Sequence, residues 1–307
     1  RTIGIRGQLM GFLCFICLLL VGLFWFLSTQ LLEPLYTTHI QKQLTERSEP
    51  PLKVNFITFL LLSAVCIVPA TRIEWAALPK EFWVWCTVAG IFGATGNGFL
   101  VKALQGGDLS VLGPINSYKS VVGMIAGILL LGEIPGLWGV AGIALIVGGS
   151  YFVLDTLNEK FSPAILRRKD IRYRIWAMVL TAVEAVFIKK VILYASATTA
   201  FITWCWFGAL FSLALALLAG RSQSPLRIRR KDFSRYVWLV LCIGTMQYTT
   251  NYVFDRMNVG YALALFQLST IVSILLGYKI FREQAIGRKL LGAVIMIVGS
   301  VLIIFSK

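Results

Sequence analysis

Apolar residues recur along this 307-residue chain in runs of about 20, the length at which an α-helix crosses the hydrocarbon core of a bilayer. Short polar stretches that carry charge, glycine or proline separate these runs. The pattern predicts an all-α polytopic membrane protein with ten spans, at roughly residues 8–31, 54–70, 82–104, 109–131, 135–154, 172–195, 198–219, 235–255, 259–280 and 287–306.

The second half of the chain echoes the first half at an offset of 150 residues, which predicts two five-helix repeats. We assign residues 1–154 to the first repeat, 155–171 to a basic loop and 172–307 to the second repeat. A unit that crosses five times ends on the side opposite its start, so we expect the repeats to be inverted around a central cavity. The identities that set this register are Thr95/Thr245, Val122/Val272, Gly127/Gly277, Glu133/Glu283, Gly142/Gly292, Gly149/Gly299 and Ser150/Ser300.

Composition narrows the class of protein and its chemistry. The chain is 58% hydrophobic and 14% charged, whereas soluble domains carry about 25% charged residues, so a soluble enzyme and a disordered chain are excluded. Its six cysteines lie in apolar runs, where they are expected to be small packing residues. With His39 as the only histidine, a histidine-based metal site is excluded. We expect no metal, no cofactor and, since no nucleotide-binding motif is present, no coupling to ATP.

The net charge of +15 comes from 29 basic and 14 acidic residues. Twenty of the basic residues lie in or beside the loops after odd-numbered spans and six on the other side, so the loops predict that both termini lie outside. The basic segment Asp155–Arg174 is expected to contact anionic lipid headgroups rather than nucleic acid.

Two charged residues lie at the centres of predicted spans, Lys119 in the fourth and Glu184 in the sixth. Charge at the middle of a bilayer is costly and points to function. Either the two form a structural ion pair, or at least one binds substrate or carries a coupling proton. Lys189 and Lys190 lie nearer the end of their span, and we expect them to extend to the membrane interface.

Uncharged polar and aromatic residues in the spans complete the predicted substrate site. Each could instead hold neighbouring helices together through hydrogen bonds. Together with Lys119 and Glu184, the predicted substrate-binding residues are Trp25, Asn97, Asn116, Tyr118, Tyr248, Asn251 and Gln267.

The ends of both halves resemble the EamA-type permeases of the drug/metabolite transporter superfamily. In each half a glutamate, Glu133 or Glu283, precedes a helix with two spaced glycines, and Pro114 fits the fourth helix of that family. The second half departs from the pattern with Ala264 and Arg282. The resemblance implies a basket of ten helices, alternating access and cytoplasmic termini, the last of which is opposite to the orientation that the loop charges predict.

These observations predict a secondary active transporter, not an enzyme, in a membrane that we expect to be the bacterial inner membrane. The expected substrate is a small polar or amphipathic metabolite, such as an amino acid, a nucleotide sugar or a drug-like compound, with protons as one candidate coupling ion and lipids as the surroundings. The alternatives are a lipid or polyprenyl-phosphate flippase, an intramembrane enzyme, and a receptor or scaffold that transports nothing.

Overall fold

The computed structural model describes residues 41, 44, 51–106, 115–116, 118–154, 168–218, 232–268 and 286–305. Within these residues the regular structure is helical throughout, which agrees with the all-α prediction. A single 3₁₀ turn, Trp75–Ala77, joins the second and third helices. The α-helices are α1 (Pro51–Val65), α2 (Ile67–Ala70), α3 (Lys80–Gly106), α4 (Lys119–Leu131), α5 (Leu137–Leu154), α6 (Lys169–Tyr194), α7 (Ala197–Leu218), α8 (Phe233–Phe254), α9 (Val259–Phe266) and α10 (Ile286–Phe305).

The helices follow the predicted spans from the second to the tenth. Helices α1 and α2 share the second span, and α3 to α10 correspond to the third to tenth spans. Two stretches, Lys80–Leu104 and Ala197–Leu218, have both the length and the hydropathy to cross a bilayer. Shorter apolar stretches occur in α1, α4, α5 and α10. The predicted first span and the second part of the ninth lie outside the described residues.

Among the described helices, three pairs at equivalent positions of the two predicted repeats pack against each other. Helix α1 contacts α7, α4 contacts α9, and α5 contacts α10. Extensive contacts also join α3 of the first half to α6 and α7 of the second, and α4 to α6. In the described part of the chain, the most extensive helix contacts therefore join the two halves.

Glycines allow the backbones of α5 and α10 to touch. A Cβ atom on Gly142 would lie 2.6 Å from the carbonyl oxygen of Gly299, and one on Gly149 would lie 2.7 Å from that of Gly292. The two helices therefore run antiparallel, since the contact moves back along α10 as it moves forward along α5. In lipid the hydrophobic effect contributes little to helix association. Van der Waals contact between closely packed backbones is therefore a main source of attraction between the helices.

We expect Gly142→Ala and Gly149→Ala each to destabilise the protein, because the added methyl group meets a backbone carbonyl that cannot rotate away. Overpacking of this kind costs about 1–3 kcal/mol. The thermal unfolding midpoint in detergent, followed by tryptophan fluorescence, measures the effect. Gly148 is the matched control, because a Cβ there meets nothing within 4 Å. Equal midpoints for the variants at Gly148 and Gly149 would contradict this account of the contact.

Candidate functional site

Two adjoining cavities lie among the helices of both halves. The first has a volume of about 230 Å³ and the second of about 190 Å³. Lys119, the first residue of α4, lies on the boundary between them, because it lines both. The residues that line both cavities are Asn116, Lys119, Thr181, Met246 and Gln247.

One face of α6 follows the cavities along its length. Its residues 174, 177 and 181 line the first cavity, and residues 181, 185 and 188 line the second. These steps of three or four residues keep the side chains on one helical face. From residue 174 to 188 the helix rises roughly 21 Å, so the two cavities extend along much of one span. Arg174, the last residue of the basic segment expected to contact lipid headgroups, therefore lies in a cavity wall instead.

The two cavities differ in chemistry. The first combines amide, hydroxyl and cationic side chains, among them Asn55, Asn97 and Arg174, with apolar residues such as Phe59 and Leu62. The second contains a cluster of apolar residues, namely Ile188, Phe254, Leu263 and Phe266. The combined space has a polar end and an apolar end, and Lys119 lies where they meet.

Glu184 is buried behind the first cavity. Its Oε1 atom accepts a hydrogen bond from the indole nitrogen of Trp204 at 2.6 Å, and Trp204 itself lines that cavity. The carboxylate lies directly against Gly93 of α3, where any larger residue would collide with it. Gly93 and Trp204 thus hold Glu184 in place.

Lys119 and Glu184 do not form the direct ion pair that was one reading of the sequence. Among the described residues, none makes a hydrogen bond or an ion pair with Lys119, although its charge and that of Glu184 are close enough to interact electrostatically. The ammonium group of Lys119 therefore remains available in the cavity wall.

The predicted amide residues divide into two groups. Asn97 and Asn116 line cavities, whereas Asn251 is fully buried and lines neither. The amide groups of Gln247 and Asn251 are hydrogen-bonded at 2.8 Å. Gln267 lines the second cavity, and its amide nitrogen donates to the backbone carbonyl of Asn116 at 3.0 Å, joining α9 to the start of α4.

The predicted aromatic residues do not line either cavity in the described part of the chain. Tyr118 is 48% exposed and Tyr248 is 41% exposed. The hydroxyl of Tyr248 lies 3.4 Å from that of Thr198. Trp25 lies outside the described residues. A role for these three residues in substrate binding stays a prediction.

A buried ion pair joins the halves beyond the second cavity. Helix α4 ends in a left-handed turn at Gly132 (φ +67°), a conformation that glycine adopts readily, and this turn presents Glu133 to Lys189 of α6. Both side chains are 11% exposed. Lys189 also donates to the carbonyl of Met257 at 2.7 Å, and Glu133 accepts from the backbone N–H of Val259 at 2.9 Å. We call these four residues the latch.

The latch corrects the expectation that Lys189 extends to the membrane interface, whereas that expectation for Lys190 stays a prediction. Lys189 is held by an acid and a carbonyl inside the protein, because the fold brings the α4–α5 turn and the α8–α9 turn over the end of α6. The ammonium of Lys190 lies 4.1 Å from the ring centroid of Trp85, a cation–π contact.

A sequence profile of the EamA-like transporter family matches the chain twice, over residues 12–155 and 172–305. The chain belongs to the EamA-like transporter family. Members of this family are integral membrane proteins, so the protein is a membrane transporter of this family. The resemblance to EamA-type permeases, which its glutamate and glycine pattern indicated, is confirmed.

Two further comparisons agree with this membership. A protein of Sinorhizobium sp. described as an uncharacterized transporter in the cobO 3' region is 29% identical over 98 residues, which cover 30% of this chain and 68% of that protein. A crystal structure of another protein superposes with a TM-score of 0.66 over 90% of this EamA-like chain and 96% of its own, at 18% identity. At that identity the likeness shows the fold alone.

We expect Trp204→Phe to destabilise this EamA-like transporter, because the ring is kept while the donor to a buried carboxylate is lost. A buried acceptor without its partner costs about 1–3 kcal/mol. The unfolding midpoint measures this loss. Trp206→Phe on the same helix is the control, since Trp206 packs against Trp75 rather than against an acid. Equal midpoints would contradict a role of Trp204 in holding Glu184.

Proposed function

We propose that the protein is a secondary active transporter that moves a small polar or amphipathic metabolite across the membrane by alternating access. The observation that carries this proposal is the pair of cavities between the halves, with Lys119 at their boundary and without an ion-pair partner among the described residues. Membership of a transporter family supports the same reading over that of an intramembrane enzyme.

Alternating access in this protein is proposed to use an inverted pair of repeats. The antiparallel contact of α5 with α10 supports it, because these are the fifth helices of the two predicted halves. The contact is also reciprocal. Gly142 meets Gly299, the register counterpart of Gly149, and Gly149 meets Gly292, the counterpart of Gly142. A two-fold axis in the membrane plane produces such a pattern.

The latch is proposed to close one end of the transport path. It connects the α4–α5 turn of the first half to α6 and the α8–α9 turn of the second. Nearby, the backbone N–H of Gly136 donates to the hydroxyl of Tyr261 at 3.0 Å, a second link between the halves. Opening a path past Ile188 at this end requires these links to break.

We expect the double variant Glu133→Gln with Lys189→Met to increase access to the second cavity from the latch side. Removing both charges avoids a stranded buried ion, whereas removing one partner costs about 3–5 kcal/mol. The measurement is labelling of Thr250→Cys, a cavity position, with a membrane-impermeant maleimide in a cysteine-free background. Lys190→Met, which leaves the latch intact, is the control. Unchanged labelling in the double variant would rule out a gating role.

Glu184 is proposed to carry the coupling proton when transport is driven by a pH gradient. Its carboxylate is buried, it lies next to the wall of the first cavity through Trp204, and its charge interacts with that of Lys119. Protonation of Glu184 would change the charge that Lys119 experiences, which links proton binding to substrate binding.

The test of the proposed function is transport of a metabolite panel by the purified full chain in proteoliposomes, with and without a pH gradient. We expect at least one compound to accumulate when the gradient is applied. Glu184→Gln keeps the shape and hydrogen bonding of the side chain but cannot titrate. We therefore expect it to lose gradient-driven accumulation and to keep exchange of substrate between the two sides. Gradient-driven accumulation at the wild-type level in Glu184→Gln would exclude the coupling role, and no transport of any compound would exclude the function.

A further inference from the structure

The described residues that line the two cavities carry a net positive charge. Lys119 and Arg174 both line the first cavity, and none of the described residues that line either cavity is acidic. Glu184, the acid that lies nearby, does not line them, and its Oε1 atom is bound to the indole of Trp204. Among the described residues, the surface that a ligand would meet therefore carries two cations and no acid.

The polar groups around these cations suit an oxyanion. A guanidinium offers a planar pair of N–H donors that matches a carboxylate or a phosphate, and a lysine adds a mobile ammonium. The side-chain amides of Asn97 and Asn116 line the same cavity and form no hydrogen bond with other described residues. Both amides can therefore donate to a bound oxyanion.

The second cavity adds a requirement for apolar surface. Ile188, Phe254, Leu263 and Phe266 line it, and Lys119 is shared with the first cavity. A ligand with its charged group near Lys119 and Arg174 has room for an apolar group on the other side of Lys119. Apolar walls with a few placed polar groups are typical of small-molecule sites.

We propose that the substrate is a small, water-soluble amphipathic organic anion, with a carboxylate or phosphate held by Lys119 and Arg174 and an apolar group in the second cavity. This inference rests on the proposed transport function and specifies its substrate class. The volumes of about 230 and about 190 Å³ suit a small molecule. The acyl chains of a membrane phospholipid would have to lie outside volumes of this size, and the short-chain phosphatidic acid below separates a lipid headgroup from a soluble anion.

Binding is tested with probes that share an aromatic group and differ in charge. The anions are phenyl phosphate, 3-phenylpropionate and phenylpyruvate, and the matched compounds are the neutral 3-phenylpropionamide and the cationic 3-phenylpropylamine. A ligand that binds the folded state raises the unfolding midpoint, so each probe is titrated against the detergent-purified full chain. We expect at least one anion to raise the midpoint at concentrations where the amide and the amine do not.

The variants locate the binding site. For the anion that binds, we expect Lys119→Met and Arg174→Met each to weaken binding by about tenfold or more, as the loss of a charge-assisted hydrogen bond implies. Arg174→Lys keeps the charge but loses the planar fork, and should fall between wild type and Arg174→Met. Lys190→Met on the same helix should bind as wild type does, because Lys190 stacks on Trp85 outside the cavities. If a methionine variant fails to fold, Lys119→Gln or Arg174→Gln replaces it.

Four outcomes would overturn the inference. These are a shift with the amine or the amide but with no anion, no shift with any probe, equal anion affinity in wild type and both cavity variants, and a shift with dihexanoyl phosphatidic acid but not with the soluble anions. The last would assign the site to a lipid headgroup.

Counterflow of the bound anion in proteoliposomes separates this inference from the proposed function. Selective anion binding without transport of any compound would support the anion-binding site and exclude the transport function. Transport confined to neutral or cationic metabolites would support the transport function and exclude the proposed anionic substrate.

Discussion

Burying charge away from water is costly, and this cost explains where the charged side chains of the interior lie. Three solutions occur side by side. Lys189 and Glu133 neutralise each other and also bind backbone groups. Glu184 is held by the indole of Trp204. Lys119 faces cavities instead. The ion pair and the bond between Glu184 and Trp204 fix helices to each other. The position of Lys119 requires that the helices leave a cavity. The cost of burying charge therefore accounts both for the closely packed latch and for the cavities.

The pattern of helices and the family could be read from the sequence because each depends on local periodicity or on residue types at fixed spacing. Helices α3 to α10 follow the predicted spans for this reason. The latch could not be predicted in the same way. Glu133 and Lys189 are far apart in the chain, and Lys189 resembles any lysine near a helix end until the fold places the α4–α5 turn beside it.

The position of Arg174 in the cavity wall follows from a periodicity that is visible in the sequence. Arg174 follows a run of basic residues, so it was grouped with a lipid-facing loop, yet residues 174, 177, 181, 185 and 188 share one face of a helix. Extending that periodicity back by one turn would have placed Arg174 on the face that leads past Thr181 to Ile188. Gly93 carried no such signal, because its role is to leave space for Glu184, a residue of another helix.

If the protein works by alternating access as we propose, the position of Lys119 would link ligand binding to closure of the path. When a transporter changes from one side to the other, its cavity must pass through a closed state that holds less water. In that state a lysine without a direct ion-pair partner loses hydration, which costs several kcal/mol for a buried ion. A bound anion supplies the counter-charge and removes most of that cost. The empty protein would therefore resist closure around Lys119, whereas the loaded protein would not, and the same ammonium that binds the substrate would couple its presence to the conformational change.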